Sequence, residues 1–280
     1  MMIRSETQPV RIAILDLNEG KPNQGMRCIN QIIDQWQISN ELNVVKEEFD
    51  VRVKNQLPDT SFDIYISSGG PGDPLSSRFE DWDRNWSKWL NEMERWNNNP
   101  SNAQKKYIFF ICHSFQLACR YFNAGILTKR KSTAFGVFPV HMLEAGKEEC
   151  VFDGLRDPFY AVDSRDYQLV QPNHTVLKNM GARILCIEKE RRHVPYERAV
   201  MGIRFNEYMI GSQFHPEADA IGMSLHLQTE EKRKTVIESY GEEKLVNMLD
   251  HLNDPDKIMW TYSRILFNFL NSAVGAMEFA

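Results

Sequence analysis

The chain has 280 residues, which is enough for one large domain or two small ones, and 42% of them are hydrophobic, which allows a sizeable core. A formal net charge of −5 argues against nucleic acid or an anionic membrane surface as the partner. No apolar stretch approaches the ~20 residues of a transmembrane helix, and five scattered cysteines fit a reducing compartment. We therefore expect a cytoplasmic protein with no membrane and no nucleic-acid partner.

Strand and helix patterns alternate through the first half of the chain. The apolar periodicity predicts, in chain order, a strand at 10–15, a helix at 25–36, strands at 42–49 and 62–66, a helix at 78–96 and a strand at 106–111. Such alternation favours parallel strands with helices on both faces of the sheet. The sequence therefore predicts an α/β fold on a mostly parallel, open sheet.

The second half is richer in strand patterns and ends in helices. The pattern predicts strands at 136–143, 166–170, 183–188 and 208–213, followed by helices at 221–227, 241–252 and 256–270. No internal repeat and no low-complexity linker interrupts the chain. We predict a single domain over residues 1–280, with its core at about 10–220 and a helical C-terminal extension over 221–280.

The predicted helix at 78–96 carries large apolar side chains at steps of three and four residues. They are Trp82, Trp86, Trp89, Met93 and Trp96. This spacing puts them on one helix face. Packing of that face against the sheet is the interpretation we favour, and a surface for a partner protein is the alternative.

Cys112 is the first candidate for chemistry, because it lies where the strand at 106–111 turns into a helix that begins near Ser114. Backbone amides at a helix N-terminus stabilise a thiolate. A sharp strand-to-helix turn also lifts a nucleophile above the sheet, and it favours small neighbours. Ser114 satisfies this requirement and Phe110 does not. A buried structural cysteine is the alternative interpretation.

A glycine-rich loop, Ser-Gly-Gly-Pro-Gly-Asp-Pro at 68–74, follows the predicted strand at 62–66. It therefore lies on the rim where strands end, which is where open α/β sheets bind ligands. Glycine amides there can approach a substrate and hold a developing oxyanion. The loop lacks the Gly-Lys-Ser/Thr of a phosphate-binding P-loop. A Gly-Pro turn without function is the alternative.

His215 and Glu217 belong to the segment Gln-Phe-His-Pro-Glu at 213–217. Pro216 biases His215 towards an extended conformation, in which residues i and i+2 point the same way. A carboxylate beside an imidazole fixes its tautomer and stabilises the imidazolium. With Cys112, the sequence thus supplies a thiol, an imidazole and a carboxylate, the parts of an activated cysteine nucleophile.

Taken together and in this order, the three segments resemble the class I glutamine amidotransferases, a family with a Cys-His-Glu triad. The loop at 68–74 is similar to the family's oxyanion strand, and 111–116 is similar to its nucleophile motif Gly-x-Cys-x-Gly-x-Gln. The segment at 211–217 is a near-complete match to its His-Pro-Glu motif. The resemblance covers roughly residues 10–220.

The resemblance implies a role for each matching residue. Cys112 would attack the side-chain amide of glutamine, His215 would act as base and then as acid, and Glu217 would orient His215. The backbone amides of Gly70 and His113 would form the oxyanion hole. The implied substrate-binding residues are Gly72, Gln116, Ser164, Asp166 and Tyr167. No metal and no other cofactor is implied.

The resemblance also implies that glutamine is the substrate and that a synthetase domain or subunit receives the ammonia. We expect a separate synthetase subunit, in an arrangement similar to GMP synthase. The nucleophile motif departs from the family pattern, because Phe110 and Ser114 replace its glycines and Phe115 adds bulk near the substrate. Two alternatives therefore stay open: a γ-glutamyl peptide hydrolase or acyltransferase on the same fold, and a non-catalytic binding protein.

Overall fold

The computed structural model describes residues 8–20, 23–191, 197–228, 230–254 and 257–278. Within these ranges nine strands form one sheet: β1 (Val10–Asp16), β2 (Val44–Asp50), β3 (Ile64–Ser67), β4 (Tyr107–Ile111), β5 (Ile126–Met142), β6 (Phe159–Val170), β7 (Arg183–Glu188), β8 (Val200–Arg204) and β9 (Met209–Ser212). The α-helices are α1 (Gln24–Ser39), α2 (Asp81–Asn98), α3 (His113–Tyr121), α4 (Glu144–Lys147), α5 (His174–Met180), α6 (Ala220–Gln228), α7 (Glu230–Tyr240), α8 (Glu242–Asn253), α9 (Ile258–Tyr262) and α10 (Ile265–Glu278).

The sheet has a parallel half and an antiparallel half. Strands β2, β1, β3, β4 and β9 lie side by side in that order and pair in parallel. Strands β8, β6, β5 and β7 pair antiparallel, and β7 also pairs with β8, so this half closes into a small ring. The predicted mostly parallel, open sheet is correct for the first half and wrong for the second.

The physical reason lies in the connections and in one strand that the sequence did not reveal. Strands β8 and β9 are joined by residues 205–208 only, which is too short for the crossover that parallel strands need. Strand β8 itself was not predicted, and it completes the ring. The predicted helix at 256–270 is two helices, α9 and α10, and residue 256 lies outside the described residues.

Helices cover both faces of the parallel half, as the sequence predicts. Ile64 and Ile66 of β3 point towards α1 and α10, whereas Tyr65 between them points towards α2 and α3. The indole nitrogen of Trp36 donates a hydrogen bond of 2.7 Å to Asn271, which ties α1 to α10. The helical C-terminal end of the chain thus contributes its last helix to the main core.

The aromatic face of α2 packs inward. The side chains of Trp82, Trp86 and Trp89 are buried, and the ring of Trp86 meets the edge of Phe110 with centroids 5.8 Å apart. The burial of these side chains confirms the favoured interpretation, in which this face of α2 packs against the sheet and does not form a surface for a partner protein. Among the described residues, every helix is too short or too polar to cross a membrane.

Glu149, which follows α4, is a buried carboxylate that ties two strands of the antiparallel half together. It accepts hydrogen bonds from Arg204 Nε of β8 at 2.7 Å and from Arg183 Nη2 of β7 at 3.3 Å. Burial alone would raise the pKa of Glu149, but the hydrogen bonds and charge of Arg204 outweigh it and lower the pKa. The folded state therefore favours the ionised carboxylate.

We expect this carboxylate to make stability depend on acid pH. Because its folded pKa is depressed, its contribution is complete above the unfolded pKa of about 4.3 and is lost as the pH falls through the folded pKa. Glu149→Gln should lower the free energy of unfolding at neutral pH by about 1–3 kcal/mol and flatten its decline in acid. Urea unfolding at a series of pH values tests this. Glu144→Gln, at a side chain that is 87% exposed, is the matched control, and its free energy of unfolding should change little. If the stability of Glu149→Gln declined in acid as steeply as that of the wild type, the expectation would be contradicted.

Candidate active site

Cys112 occupies a strained turn between β4 and α3. Its backbone has φ +48° and ψ −98°, a region that non-glycine residues rarely adopt. The amide of Cys112 donates to Ser212 O of β9 at 2.8 Å, and the residue is only 5% exposed. Strain of this kind persists only where the surroundings hold it, and it lifts the side chain above the carboxyl end of the sheet.

Ser114 fastens this turn from within, at the position where the family motif has glycine. Its hydroxyl accepts from the amide of Ile111 at 2.9 Å and lies 2.6 Å from Ser67 O, to which it donates. Ser114 is completely buried. The hydroxyl therefore ties the end of β4 to the end of β3, which carries the glycine loop.

Phe110 and Phe115 do not narrow the space around Cys112, contrary to what the sequence led us to expect. Both are buried in the core cluster on the α2 and α3 side, and neither lines the cavity beside Cys112. The neighbouring strand makes room for them. Phe110 pairs with Gly211 in the sheet, and a Cβ on Gly211 would lie 2.9 Å from the ring of Phe115 and 3.0 Å from Phe110 Cβ.

The glycine loop passes directly beside Cys112 and His215. A Cβ on Gly69 would lie 2.9 Å from His215 Cε1 and 3.5 Å from Cys112 Cβ. At Gly70 the obstacle is backbone, because a Cβ there would lie 2.3 Å from Leu17 O. These two positions need glycine for close approach. Gly72 has φ +106°, so it needs glycine for its conformation.

His215 and Glu217 lie side by side, as the extended segment predicts. His215 Nδ1 is 2.8 Å from Glu217 Oε1, and the amide of His215 donates to Val162 O at 2.8 Å. A carboxylate only accepts, so Nδ1 carries the proton and the other ring nitrogen, Nε2, is left for the thiol. Glu217 is buried, and its Oε2 has no hydrogen-bond partner among the described residues.

The charges around His215 favour its imidazolium form. Burial alone would lower the pKa of His215, but the carboxylate of Glu217 and the sulfur of Cys112, through charge and hydrogen bonds, raise it well above its ordinary value. His113 is the opposite case. Burial, assisted by the charge of Arg52, lowers the pKa of His113 to about 3, so this imidazole stays neutral. Of these two histidines beside Cys112, only His215 is arranged to exchange a proton with the thiol.

A cavity of about 340 Å³ opens beside these groups. Gly69, Ser164, His215 and Glu217 line one side of it, and Phe135 of β5 lies among its apolar walls. The carbonyl oxygen of Ser164 is 3.6 Å from Cys112 Sγ. Cys112 is not itself a lining residue, but Ser164 and His215 beside it are, so a space large enough for a small molecule lies next to these partners of the thiol.

Gln116 and Gln213 form a buried amide pair beside the thiol. Gln116 Nε2 donates to Gln213 Oε1 at 3.0 Å and to Tyr167 O at 3.3 Å. That leaves Gln213 Nε2 to face Cys112 Sγ at 3.6 Å. The orientation of the Gln213 amide is thus fixed by its partner. Gln213 lies in the segment that matches the His-Pro-Glu motif, but its contact with the sulfur depends on the fold and cannot be inferred from the sequence.

The segment at 163–167 borders the site in part. The hydroxyl of Tyr167 hydrogen-bonds the carboxylate of Asp73, which joins β6 to the glycine loop. The side chain of Asp166 lies on the same face of β6 as Ser164, but it is exposed and accepts from Thr133 of β5. The fold therefore brings Ser164 and Tyr167 to the surroundings of Cys112, whereas the side chain of Asp166 is bonded to β5.

The arrangement places a thiol next to an imidazole that a carboxylate orients, with Gly69 of the glycine loop packed against both Cys112 and His215. The sequence model of the family described as glutamine amidotransferase class-I matches residues 28–224, well over half of the chain. The chain belongs to this family, whose domains in general hydrolyse the side-chain amide of glutamine. This confirms the resemblance. No curated protein matches the chain.

Solved structures share the fold at low sequence identity. A glutamine amidotransferase from Thermotoga maritima is 14% identical, with a TM-score of 0.65, and the match covers 98% of this chain and 100% of that one. The CTPS glutaminase domain of Trypanosoma brucei, solved with bound acivicin, is 14% identical, with a TM-score of 0.55 and coverage of 95% and 94%. A candidate GMP synthase subunit from Thermoplasma acidophilum is 17% identical, with a TM-score of 0.51 and coverage of 85% and 98%.

Proposed function

We propose that this chain is a glutaminase that uses Cys112, His215 and Glu217 as a catalytic triad. The observation that carries the proposal is the position of His215, whose Nδ1 lies 2.8 Å from Glu217 Oε1 and whose ring interacts with the sulfur of Cys112. Glu217 holds the tautomer and stabilises the imidazolium, so Nε2 can take the thiol proton and return it.

In this mechanism the sulfur of Cys112 attacks the carbon of the glutamine side-chain amide, and its proton moves to His215 Nε2. The C–N bond then breaks, His215 gives the proton to the departing nitrogen, and ammonia leaves a γ-glutamyl thioester. Water, deprotonated by His215, attacks the thioester carbon and releases glutamate and the thiol. The amides of Gly70 and His113 would hold the oxyanion in both steps.

Gln116 would contact the amino-acid end of glutamine, together with Gly72, Ser164, Asp166 and Tyr167. Both amide hydrogens of Gln116 already bond to Gln213 and Tyr167, so its free group is the carbonyl oxygen. An acceptor of this kind suits the α-ammonium group of glutamine. Asp166 would act through its backbone, because its carboxylate is turned towards Thr133.

We also propose that the ammonia passes to a separate synthetase subunit, in an arrangement similar to GMP synthase. The family supports this, and one structural neighbour is a candidate GMP synthase subunit. Mixing the chain with a GMP synthase synthetase subunit should raise ammonia release from glutamine. An unchanged rate would rule out this synthetase subunit as the ammonia acceptor, and the glutaminase proposal would still stand.

The decisive experiment is intact-protein mass spectrometry after exposure to a glutamine-mimicking electrophile such as a diazo-ketone analogue of glutamine. A single adduct that excess glutamine suppresses is expected on the wild type and not on Cys112→Ala. Cys28→Ala is the matched control, because Cys28 lines the same cavity. Burial raises the pKa of Cys28 to about 12, so it stays an unreactive thiol and this variant should label fully.

Absence of the adduct on the wild type would overturn the proposal of a glutamine-shaped site. If a general thiol reagent still labelled Cys112 in that case, a γ-glutamyl peptide hydrolase or acyltransferase would become the better assignment. Such an enzyme would use the same triad and form the same kind of acyl-enzyme, and only its leaving group would differ from ammonia. Amine release from γ-glutamyl peptides would then be the measurement.

Gln213 gives a further expected result. Because its Nε2 faces the sulfur, Gln213→Glu should place a carboxylate beside a developing thiolate while still accepting from Gln116. We expect the rate of alkylation of Cys112 by iodoacetamide at neutral pH to fall at least about tenfold, with the pH profile moved to higher pH. Gln56→Glu, at an exposed position, is the control. A profile equal to that of the wild type would show that the contact is structural only.

A further inference from the structure

A second cavity, of about 420 Å³, lies in the antiparallel half of the sheet. Its walls come from β5, from the end of β6, and from Arg191 and Glu197. Among the residues that the structure describes, four basic side chains and one carboxylate line it: Lys129, Arg130, Lys131 and Arg191, with Glu197. In a chain with a net charge of −5, this concentration of positive charge in a concave site is unusual.

The backbone around this cavity is irregular in two places. The pairing of β5 with β6 shifts register between Lys129 and Ala134, so β5 bulges where it lines the cavity. Directly after the end of β6, Gln171 has φ +47°, and its amide donates to Glu197 Oε2 at 3.0 Å. Bulges re-aim side chains, and strained residues gather at functional sites. The bulge and the positive φ of Gln171 are therefore both consistent with a binding site at this cavity.

The positive charge at the cavity is only partly neutralised. The side chain of Arg130 is 9% exposed and donates to Glu188 Oε2 at 3.3 Å. The same Glu188 also pairs with Arg165 at 3.0 Å and Arg191 at 2.6 Å. One further carboxylate, Asp163, pairs with Arg165, so three guanidinium groups share two carboxylates. Burial, together with the charge of Arg165, lowers the pKa of Arg130.

This cavity and the one beside Cys112 lie along the same face of β6. Alternate residues of a strand share a face, so Ser164 and Gln168 point the same way, with Asp166 between them. Ser164 lines the cavity beside Cys112, and Gln168 lines the basic cavity. At ~3.3 Å per residue, the two positions are about 13 Å apart along the strand.

We propose that the basic cavity binds a compact small-molecule anion through its phosphate or carboxylate groups. Its concave form and its volume suit a small ligand more than a protein surface. Arg130, Lys129 and Lys131 supply the positive charge that attracts phosphate or carboxylate oxygens. The binding itself is independent of the proposed function. The role of this binding rests on the proposed glutaminase function. An anionic group held in the cavity would direct the rest of its molecule, a larger amide donor or an ammonia acceptor, along β6 towards Cys112.

The test is calorimetric titration of the intact chain, without glutamine, using inorganic phosphate in one arm and citrate in the other at constant ionic strength. The variant Lys129→Ala/Lys131→Ala should weaken the affinity for the preferred anion at least tenfold. The control Lys54→Ala/Lys88→Ala makes the same change in net charge, after β2 and on α2, and should bind like the wild type. The arm with the tighter binding identifies phosphate or carboxylate as the ligand group.

A second variant keeps the packing and offsets the positive charge of the cavity with a new carboxylate. Gln168 accepts from Arg130 at 2.6 Å, and Gln168→Glu can keep that bond while filling the cavity with negative charge. A loss of at least tenfold in anion affinity is expected for this variant too. No binding of either anion by the wild type, or equal losses in the cavity variant and its control, would overturn the proposal. Because no turnover is measured, neither outcome depends on whether the chain is a glutaminase.

Discussion

Replacement of Cys112 by alanine is expected to lower the release of ammonia from glutamine at least about a thousandfold, because no other group can form the thioester. Cys112 sits at the strained turn with its sulfur near Gln213, and His215 has its Nδ1 held by Glu217. Removing the sulfur leaves the imidazole with no proton to take. The measurement is a coupled assay of glutamate or ammonia production.

Cys119→Ala is the matched control for this experiment. Cys119 lies on the same helix, α3, and burial raises its pKa well above the ordinary value, so it remains an inert thiol. Its variant should keep the wild-type rate and lose stability only modestly, by about 1 kcal/mol. Comparable ammonia release by Cys112→Ala and the wild type would refute the role of this thiol. A loss of rate in Cys119→Ala would instead reveal a folding effect, which thermal unfolding would detect.

The parts of the site that the sequence could predict are those ruled by local geometry. The turn from an apolar strand to a helix predicted a lifted Cys112, and its φ of +48° fits this. The extended residue before Pro216 predicted that His215 and Glu217 would point the same way, and their side chains are 2.8 Å apart. Each of these inferences needs only neighbouring residues, so a single sequence is sufficient.

What the sequence could not give depends on contacts between distant segments. Phe110 and Phe115 suggested added bulk near the substrate, because the glycine that makes room for them is not in their own motif. It is Gly211, which faces Phe110 from β9. Strand β8 was missed for a related reason. Gly202 lies in its middle and weakens the strand pattern, yet a Cβ there would lie 2.9 Å from Cys186 Sγ of β7.

Gly70→Ala is expected to reduce kcat about 100- to 1,000-fold, with a smaller change in KM, because one donor to the oxyanion would move away. An added Cβ would lie 2.3 Å from Leu17 O and 3.0 Å from Leu17 Cβ. Leu17 cannot yield easily, since its own amide donates to Ser68 Oγ at 3.0 Å and so anchors it to the same loop. The loop must therefore shift, and we also expect about 1–3 kcal/mol of lost stability.

Gly275→Ala separates the loop effect from the general effect of replacing glycine. Gly275 lies inside α10, and a Cβ there would meet nothing within 4 Å. Its variant should be more stable by about 0.5–1 kcal/mol and unchanged in kcat. If Gly70→Ala loses stability but keeps the wild-type kcat, the oxyanion must be held by donors other than this loop. A fall in kcat that persists at temperatures where the variant is fully folded would instead assign the amide of Gly70 to the chemical step.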